Sequence, residues 1–128
     1  MDLESLRYAE SHEWAKLDGD IVTVGITQYA VDQLTDVTHL QLPKVGATLT
    51  AGKPFGEIES VKAVFDLNAP VSGTVLEVNS KLAADPGAIN LDCYGPGWML
   101  KVKLAPGATL DHLKTKAQYD AQLAEEAH

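Results

Sequence analysis

The chain has 128 residues, 45% of them apolar, and a formal net charge of −8 at pH 7. The length predicts one domain with its own core, while so acidic a surface argues against nucleic acid and anionic membranes as partners, because their phosphates would repel it. A single cysteine, Cys93, excludes an internal disulfide and a cysteine-rich metal site.

Alternating apolar and polar residues, interrupted by clusters of glycine and proline, predict a chain built mainly of short strands. The predicted strands are a segment around Trp14 and residues 21–26, 37–42, 54–60, 63–68, 73–78 and 98–104. In the last of these, Trp98 and the other even-numbered residues are predicted to share one face. Met99 is predicted to share the opposite face with two lysines.

Three helices are predicted, at residues 28–34, at 79–84 and at about 115–127. The first follows a threonine that can cap its N-terminus. Thr115 and Gln118, three residues apart, match a capping box at the start of the last helix. An apolar stripe of Tyr119, Leu123 and Ala127 can then pack that helix against a sheet.

A weak internal repeat supports a symmetric arrangement of the strands. Residues 43–46 and 70–73 both read Pro-x-x-Gly, and short apolar segments follow each of them. Repeated strands of this kind favour two antiparallel sheets with a pseudo-twofold axis. We therefore predict a mainly β fold with short helices, a flattened β-sandwich or barrel, over residues 1–128. Its core is expected at about 7–108.

Lys62 differs from the other lysines in its position. It lies at the tip of a predicted hairpin whose two turn residues, Val61 and Lys62, include none of the Gly, Asn or Asp that tight reversals favour. A flexible amine on a stiff hairpin suits a carrier that hands a reactive group between active sites, and acylation of Nζ would remove its charge. From position alone, an ordinary exposed lysine is the more frequent interpretation, so the neighbouring sequence has to decide.

Several motifs occur in a fixed order around this lysine. They are Glu59, Ser60, Val61, Lys62, Ala63 and Asp66, then Ala69-Pro70-Val71-Ser72-Gly73, with Tyr8 to Trp14 upstream and Gly97-Trp98 downstream. Over roughly residues 7–120, the chain resembles the H-protein family of the glycine cleavage system. The resemblance implies a lipoyl-domain fold and lipoic acid attached to Lys62 by a lipoate ligase or lipoyl transferase.

The resemblance also implies a non-catalytic carrier whose arm is loaded by glycine decarboxylase, emptied by aminomethyltransferase and reoxidised by dihydrolipoamide dehydrogenase. Its cargo is then an aminomethyl group. By position, Ser11, Glu13 and Asp66 match family residues that face the loaded arm. A carboxylate there would bind a cationic amine.

The chain departs from the family pattern near the predicted arm. Val64 and Phe65 stand where family members commonly have small or polar residues, and Gln33 stands where some place a histidine over the arm. We therefore count Phe65 and Gln33 among the predicted arm contacts. Cys93 replaces a common proline. We interpret it as an inert, half-buried thiol, the alternative being that it approaches the sulfurs of the arm.

Other functions remain open from the sequence. H-protein-like carriers also serve sulfur oxidation with a heterodisulfide-reductase-like complex, or relay lipoate to other proteins, and glycine cleavage is the preferred of the three. A biotin carrier is disfavoured because no methionine flanks Lys62. A free-standing enzyme is disfavoured because the four histidines lack metal-ligand spacing and no phosphate loop or nucleophile elbow occurs.

The N-terminus and the hydropathy pattern predict where the protein works. Residues 1–5 are acidic, with no basic leader and no apolar run after them. No segment approaches the roughly 20 consecutive apolar residues of a membrane span. We therefore expect a soluble cytoplasmic protein, or a mature matrix protein whose transit peptide has been removed.

Overall fold

The computed structural model describes residues 2–126. The strands are β1 Arg7–Tyr8, β2 Glu13–Asp18, β3 Ile21–Ile26, β4 Val37–Gln41, β5 Thr48–Leu49, β6 Pro54–Ser60, β7 Val64–Asn68, β8 Gly73–Val78 and β9 Leu100–Leu104. The helices are α1 Gln28–Leu34, α2 Ser80–Ala84 and α3 Lys116–Glu126, with short 3-10 helices at Leu3–Ser5 and Pro86–Asn90. Among these residues, no helix is long and apolar enough to cross a membrane.

The strands form two antiparallel sheets. The larger has six strands in the order β1-β2-β3-β9-β8-β5, and the smaller has three in the order β4-β6-β7. The predicted mainly β fold with two antiparallel sheets and a C-terminal helix is confirmed. The two segments of the weak repeat also come together, because β5 pairs with β8 through Thr48 opposite Thr74. A twofold relation between the segments stays a prediction.

Aliphatic side chains supply the core, because aromatic residues make up only 6% of the chain. In the central strands of the larger sheet, Val22 pairs with Val102 and Val24 with Leu100, and all four are fully buried. Ile58 and Leu67 project from the smaller sheet into the same core. Burial of these alternating residues fixes the register, since a one-residue slip would turn them to solvent.

A second, aromatic cluster attaches α3 to the N-terminal part of the chain. Thr115 and Gln118 form the predicted capping box, with N–H donors and side-chain acceptors 2.9 and 3.3 Å apart. Tyr119 stacks on Tyr8 with ring centroids 4.6 Å apart, and Leu123 packs beside them. The predicted stripe is thus present up to Leu123, and its last member, Ala127, lies outside the described residues.

Three local predictions are wrong. β9 begins at Leu100 instead of Trp98, and Met99 is buried instead of facing solvent with the lysines. The Met99 backbone bonds to Val24 on one side and Asn79 on the other, which holds its side chain in the core. In the hairpin, β7 begins at Val64, so the loop has three residues instead of two.

We predict that Gly25→Ala destabilises the fold. Gly25 lies opposite Trp14 across β2 and β3, and a Cβ at this position would stand 2.5 Å from the Trp14 ring. Because the indole is fully buried and cannot move away freely, overpacking should lower the free energy of unfolding by about 1–3 kcal/mol. Chemical denaturation would measure it. Gly87→Ala is the matched control, because its nearest neighbour is 3.8 Å away, and an equal loss in both variants would contradict the prediction.

Candidate functional site

The hairpin between β6 and β7 presents Lys62 to solvent. The Ser60 hydroxyl accepts hydrogen bonds from the N–H groups of Lys62 and Ala63, both at 3.1 Å. The Ser60 N–H donates to the Ala63 carbonyl at 2.9 Å, and the Val61 N–H donates to the Asp36 backbone carbonyl at 3.3 Å. Ser60 therefore supplies the turn chemistry that Gly, Asn or Asp would otherwise provide, and none of the three loop residues has a positive φ. The result is a braced loop with a free amine at its tip.

Exposed apolar side chains flank this lysine in the hairpin. Val61 is 69% exposed, Val64 56% and Phe65 47%. Large apolar side chains this exposed and this close together are typical of surfaces that contact partners. Glu59 is half-buried, pairs with Val64 across the hairpin, and adds a carboxylate to the same region.

A cleft of about 550 Å³ lies beside the hairpin, between α1, β2, β7 and the end of α3. Five residues predicted to face the arm line it: Ser11, Glu13, Gln33, Phe65 and Asp66. Ile26, Leu34 and Ile58 form an apolar floor, and Asn68 and Glu126 complete the polar rim. The cleft therefore combines an apolar wall with several carboxylates, which suits a chain-like ligand that ends in a cation.

Glu13 is the most unusual group in the cleft, because its carboxyl is almost completely buried. One oxygen accepts a short hydrogen bond from the Ser11 hydroxyl, and the other accepts from the Asn68 N–H at 3.0 Å. Burial raises the pKa of the Glu13 carboxyl to about 7, and the two hydrogen bonds oppose that rise. Near neutral pH, a cation entering the cleft would therefore favour the ionised form.

Comparisons with known proteins agree over nearly the whole chain. A family model described as "Glycine cleavage H-protein" matches residues 6–126. The chain belongs to the glycine cleavage H-protein family. It is therefore a lipoate-carrying component of the glycine cleavage system and not itself a catalyst, which confirms the predicted family and function.

Individual relatives are similar at high coverage. A glycine cleavage system H protein of Opitutus terrae is 55% identical over 115 residues, or 89% of this chain and 91% of that protein. One from Acinetobacter baumannii is 48% identical over 118 residues, or 92% and 95%. A mitochondrial H protein of Arabidopsis thaliana is 46% identical over 124 residues, or 97% and 80%. A crystal structure of a glycine cleavage system H protein from Mycobacterium marinum has a TM-score of 0.87 at 40% identity, covering 94% of this chain and 98% of that one.

Several cleft residues of this H-protein were missed from the sequence, including its apolar floor and three polar or aromatic side chains. His12 lies beside Ser11, Tyr29 lies on α1, and Glu126 reaches the rim from the end of α3. His12 could have been found, because it lies between two predicted contacts. Glu126 could not, because neither periodicity nor spacing indicates which face of a terminal helix approaches a cleft formed by β2 and β7.

Cys93 is more buried than the sequence suggested. Its side chain is 1% exposed instead of half-buried, and its Sγ lies 3.7 Å from the Gln28 side-chain oxygen. Burial raises the pKa of the Cys93 thiol to about 12. Cys93 is also absent from the cleft lining. The interpretation of an inert thiol therefore fits the structure better than approach to an arm.

We predict that Glu13→Gln stabilises the protein increasingly as pH rises. The folded protein holds a proton on Glu13 that the unfolded chain releases between the ordinary pKa of 4.5 and about 7. Wild-type stability therefore falls through this window, while the stability of the variant, whose amide does not titrate, does not follow it. The amide oxygen can still accept from the Asn68 N–H, and the amide NH2 can donate to the Ser11 hydroxyl. Between about pH 5 and pH 8, the stability gap should grow by roughly 2 kcal/mol, measured by denaturant unfolding. A gap independent of pH would refute a raised pKa.

We also predict that Cys93 resists alkylation. With so little thiolate and no exposed sulfur, iodoacetamide should react in the folded protein at least about 100-fold more slowly than in guanidinium. Mass spectrometry of timed aliquots would measure both rates. Similar rates under native and denaturing conditions would show that the thiol is accessible.

Proposed function

We propose that Lys62 carries the lipoyl group as an amide on Nζ, and that the cleft containing Glu13 receives the loaded end of the arm. The observation that supports this most directly is the juxtaposition of an exposed lysine on a braced hairpin with a carboxylate-lined cleft. The same strand, β7, leads from one to the other. Residues 1–128 would act as one lipoyl-carrier domain.

The distance between the two features fits such an arm. Asp66, on the cleft wall, is four residues from Lys62, and four extended residues span at most roughly 14 Å. A lysine side chain joined to the acyl chain of lipoate is of comparable length. When attached, the lipoyl group supplies the dithiolane whose sulfurs carry the aminomethyl group of glycine.

The residues of the cleft have separate tasks in this proposal. The ionised Glu13 carboxylate binds the ammonium end of the cargo, and Ser11 keeps that carboxylate oriented by donating to it. Asp66 adds a second negative charge from the exposed side. The floor of Ile26 and Ile58, with Phe65 at the mouth, covers the apolar part of the arm and limits the access of water.

The exposed apolar residues of the hairpin, Val61, Val64 and Phe65, are proposed to contact the enzymes that use the arm. These are the lipoate ligase or lipoyl transferase, glycine decarboxylase, aminomethyltransferase and dihydrolipoamide dehydrogenase. The relatives include bacterial proteins and plant proteins named as mitochondrial. We accordingly propose that the protein works in the cytoplasm or in the mitochondrial matrix.

The test is the intact mass of the protein purified from its own host without reductant. We expect one lipoyl increment in the wild type and in Lys53→Arg, a control at another exposed lysine, and none in Lys62→Arg. A further increment of an aminomethyl group would identify the cargo directly.

Other outcomes of this measurement would contradict the proposed attachment site or the proposed cargo. Unmodified protein from a lipoate-replete host, or a lipoyl increment that survives in Lys62→Arg, would overturn the proposed attachment site. Additional sulfur atoms on the arm would instead favour the sulfur-carrying function as the cargo assignment.

A further inference from the structure

His12 has a backbone conformation that few non-glycine residues adopt. Its φ is +77°, in the left-handed region, which costs free energy for any residue with a Cβ. Such a residue persists only where its surroundings hold it, and outliers of this kind cluster at functional sites. His12 stands between Ser11 and Glu13, the hydrogen-bonded pair of the cleft.

Side chains from two helices hold the His12 ring. The Tyr119 hydroxyl lies 2.7 Å from His12 Nδ1 and 2.6 Å from the Thr27 hydroxyl. On the other side of the ring, Nε2 lies 3.3 Å from a carboxylate oxygen of Glu126. The Tyr29 ring packs against the imidazole with centroids 4.7 Å apart. The imidazole is therefore fixed mainly by α3, whose residues come from the far end of the chain.

The hydrogen bonds of this network can all be satisfied at once. With the proton on Nε2 of a neutral imidazole, Thr27 donates to Tyr119, Tyr119 donates to His12 Nδ1, and His12 Nε2–H donates to Glu126. Burial lowers the pKa of His12 and so favours this neutral form, while Glu126 opposes the shift.

Backbone hydrogen bonds of His12 also close the loop that precedes β2. The His12 N–H donates to the Ala9 carbonyl at 3.0 Å, and its carbonyl accepts from the Thr27 N–H at 2.9 Å. The Ala9 N–H donates to the Glu13 carbonyl, also at 2.9 Å. The left-handed residue thus closes a tight loop, which brings the Ser11 hydroxyl onto the Glu13 carboxyl.

We propose that His12 is a positioning residue of the cleft and that α3, through the Tyr119 hydroxyl, holds it so that Ser11 donates to Glu13. The C-terminal helix then has a function in the carrier beyond covering the aromatic cluster. The inference deepens the proposed function of the cleft and rests on it for the cargo. The arrangement itself concerns only the residues of this chain.

The effect of the network on Glu13 gives a readout that needs no lipoyl group. Ser11 lowers the pKa of the Glu13 carboxyl, so loss of its alignment should raise that pKa. Besides Glu13 itself, the titratable groups that face this region are His12 in the loop before β2, Tyr29 on α1, Asp66 on β7, and Tyr119 and Glu126 on α3. Each of these groups can titrate during the pH series, so its signal has to be assigned separately from that of Glu13.

The experiment follows the Glu13 carboxyl carbon by NMR over a pH series in full-length, unlipoylated protein, with Glu13→Gln to assign the signal. Tyr119→Phe removes one hydroxyl and keeps the ring that stacks on Tyr8. We expect the Glu13 pKa to rise by about one unit, the effect of losing a hydrogen bond to a charged group. Tyr8→Phe is the matched control in the same stack, because its hydroxyl bonds to the Leu3 carbonyl and not to the cleft.

A second variant keeps the test informative if Tyr119→Phe does not fold. His12→Asn keeps a side chain that tolerates the left-handed conformation but removes the imidazole. It should raise the Glu13 pKa similarly, and the Tyr119→Phe, His12→Asn double variant should shift it no further than either alone. A Glu13 pKa that is unchanged in Tyr119→Phe, or equally changed in Tyr8→Phe, would overturn the positioning function. Because no lipoyl group is present, that failure is distinct from failure of the attachment site at Lys62.

Discussion

The burial of the Glu13 carboxyl is the constraint on which the rest of the cleft depends. A carboxylate removed from water is stable only when donors or a cation replace its hydration. The donors come from two directions, since Ser11 belongs to the loop before β2 and the Asn68 N–H lies at the end of β7. β2 belongs to the larger sheet and β7 to the smaller one, so this side chain joins the two sheets at the place where the cleft opens.

Strand β7 connects the exposed hairpin at one end to the buried cleft at the other. At the tip, the Ser60 hydroxyl accepts hydrogen bonds from the N–H groups of Lys62 and Ala63, while the Lys62 side chain is exposed to solvent. At the other end of β7, Asn68 contributes a backbone N–H to a rigid, buried site. A single strand therefore connects the exposed lysine at the hairpin tip to the buried carboxyl of the cleft, which is the geometry that the proposed carrier function requires.

The sequence predicted helix and strand bounds well where periodicity and neighbouring turn residues are enough to determine them. The bounds of α1, β3, β6 and β8 follow from periodicity and turn residues, and the capping box of Thr115 and Gln118 needs no distant partner. Met99 was misassigned because its burial is set by backbone bonds to Val24 and Asn79, which no alternation pattern encodes. The cleft residues Ser11, Glu13 and Asp66 came from resemblance. The roles of Tyr119 and Glu126 depend on how α3 docks, across more than a hundred residues of sequence, and this information appears only in the folded chain.

In the proposed function, the electrostatics of the cleft would link its cargo to the stability of the fold. Without a cation, the protein near neutral pH either holds a proton on Glu13 or keeps a negative charge buried in the cleft. The free-energy balance between these two forms shifts with pH. An ammonium group bound beside Glu13 and Asp66 would lower the pKa of the buried carboxyl and stabilise the folded state by mass action. Neutral cargo would provide neither effect. A buried carboxyl whose pKa burial raises to about 7 would therefore discriminate cargo by charge, and the Ser11 hydroxyl, which lowers that pKa, would contribute to the discrimination.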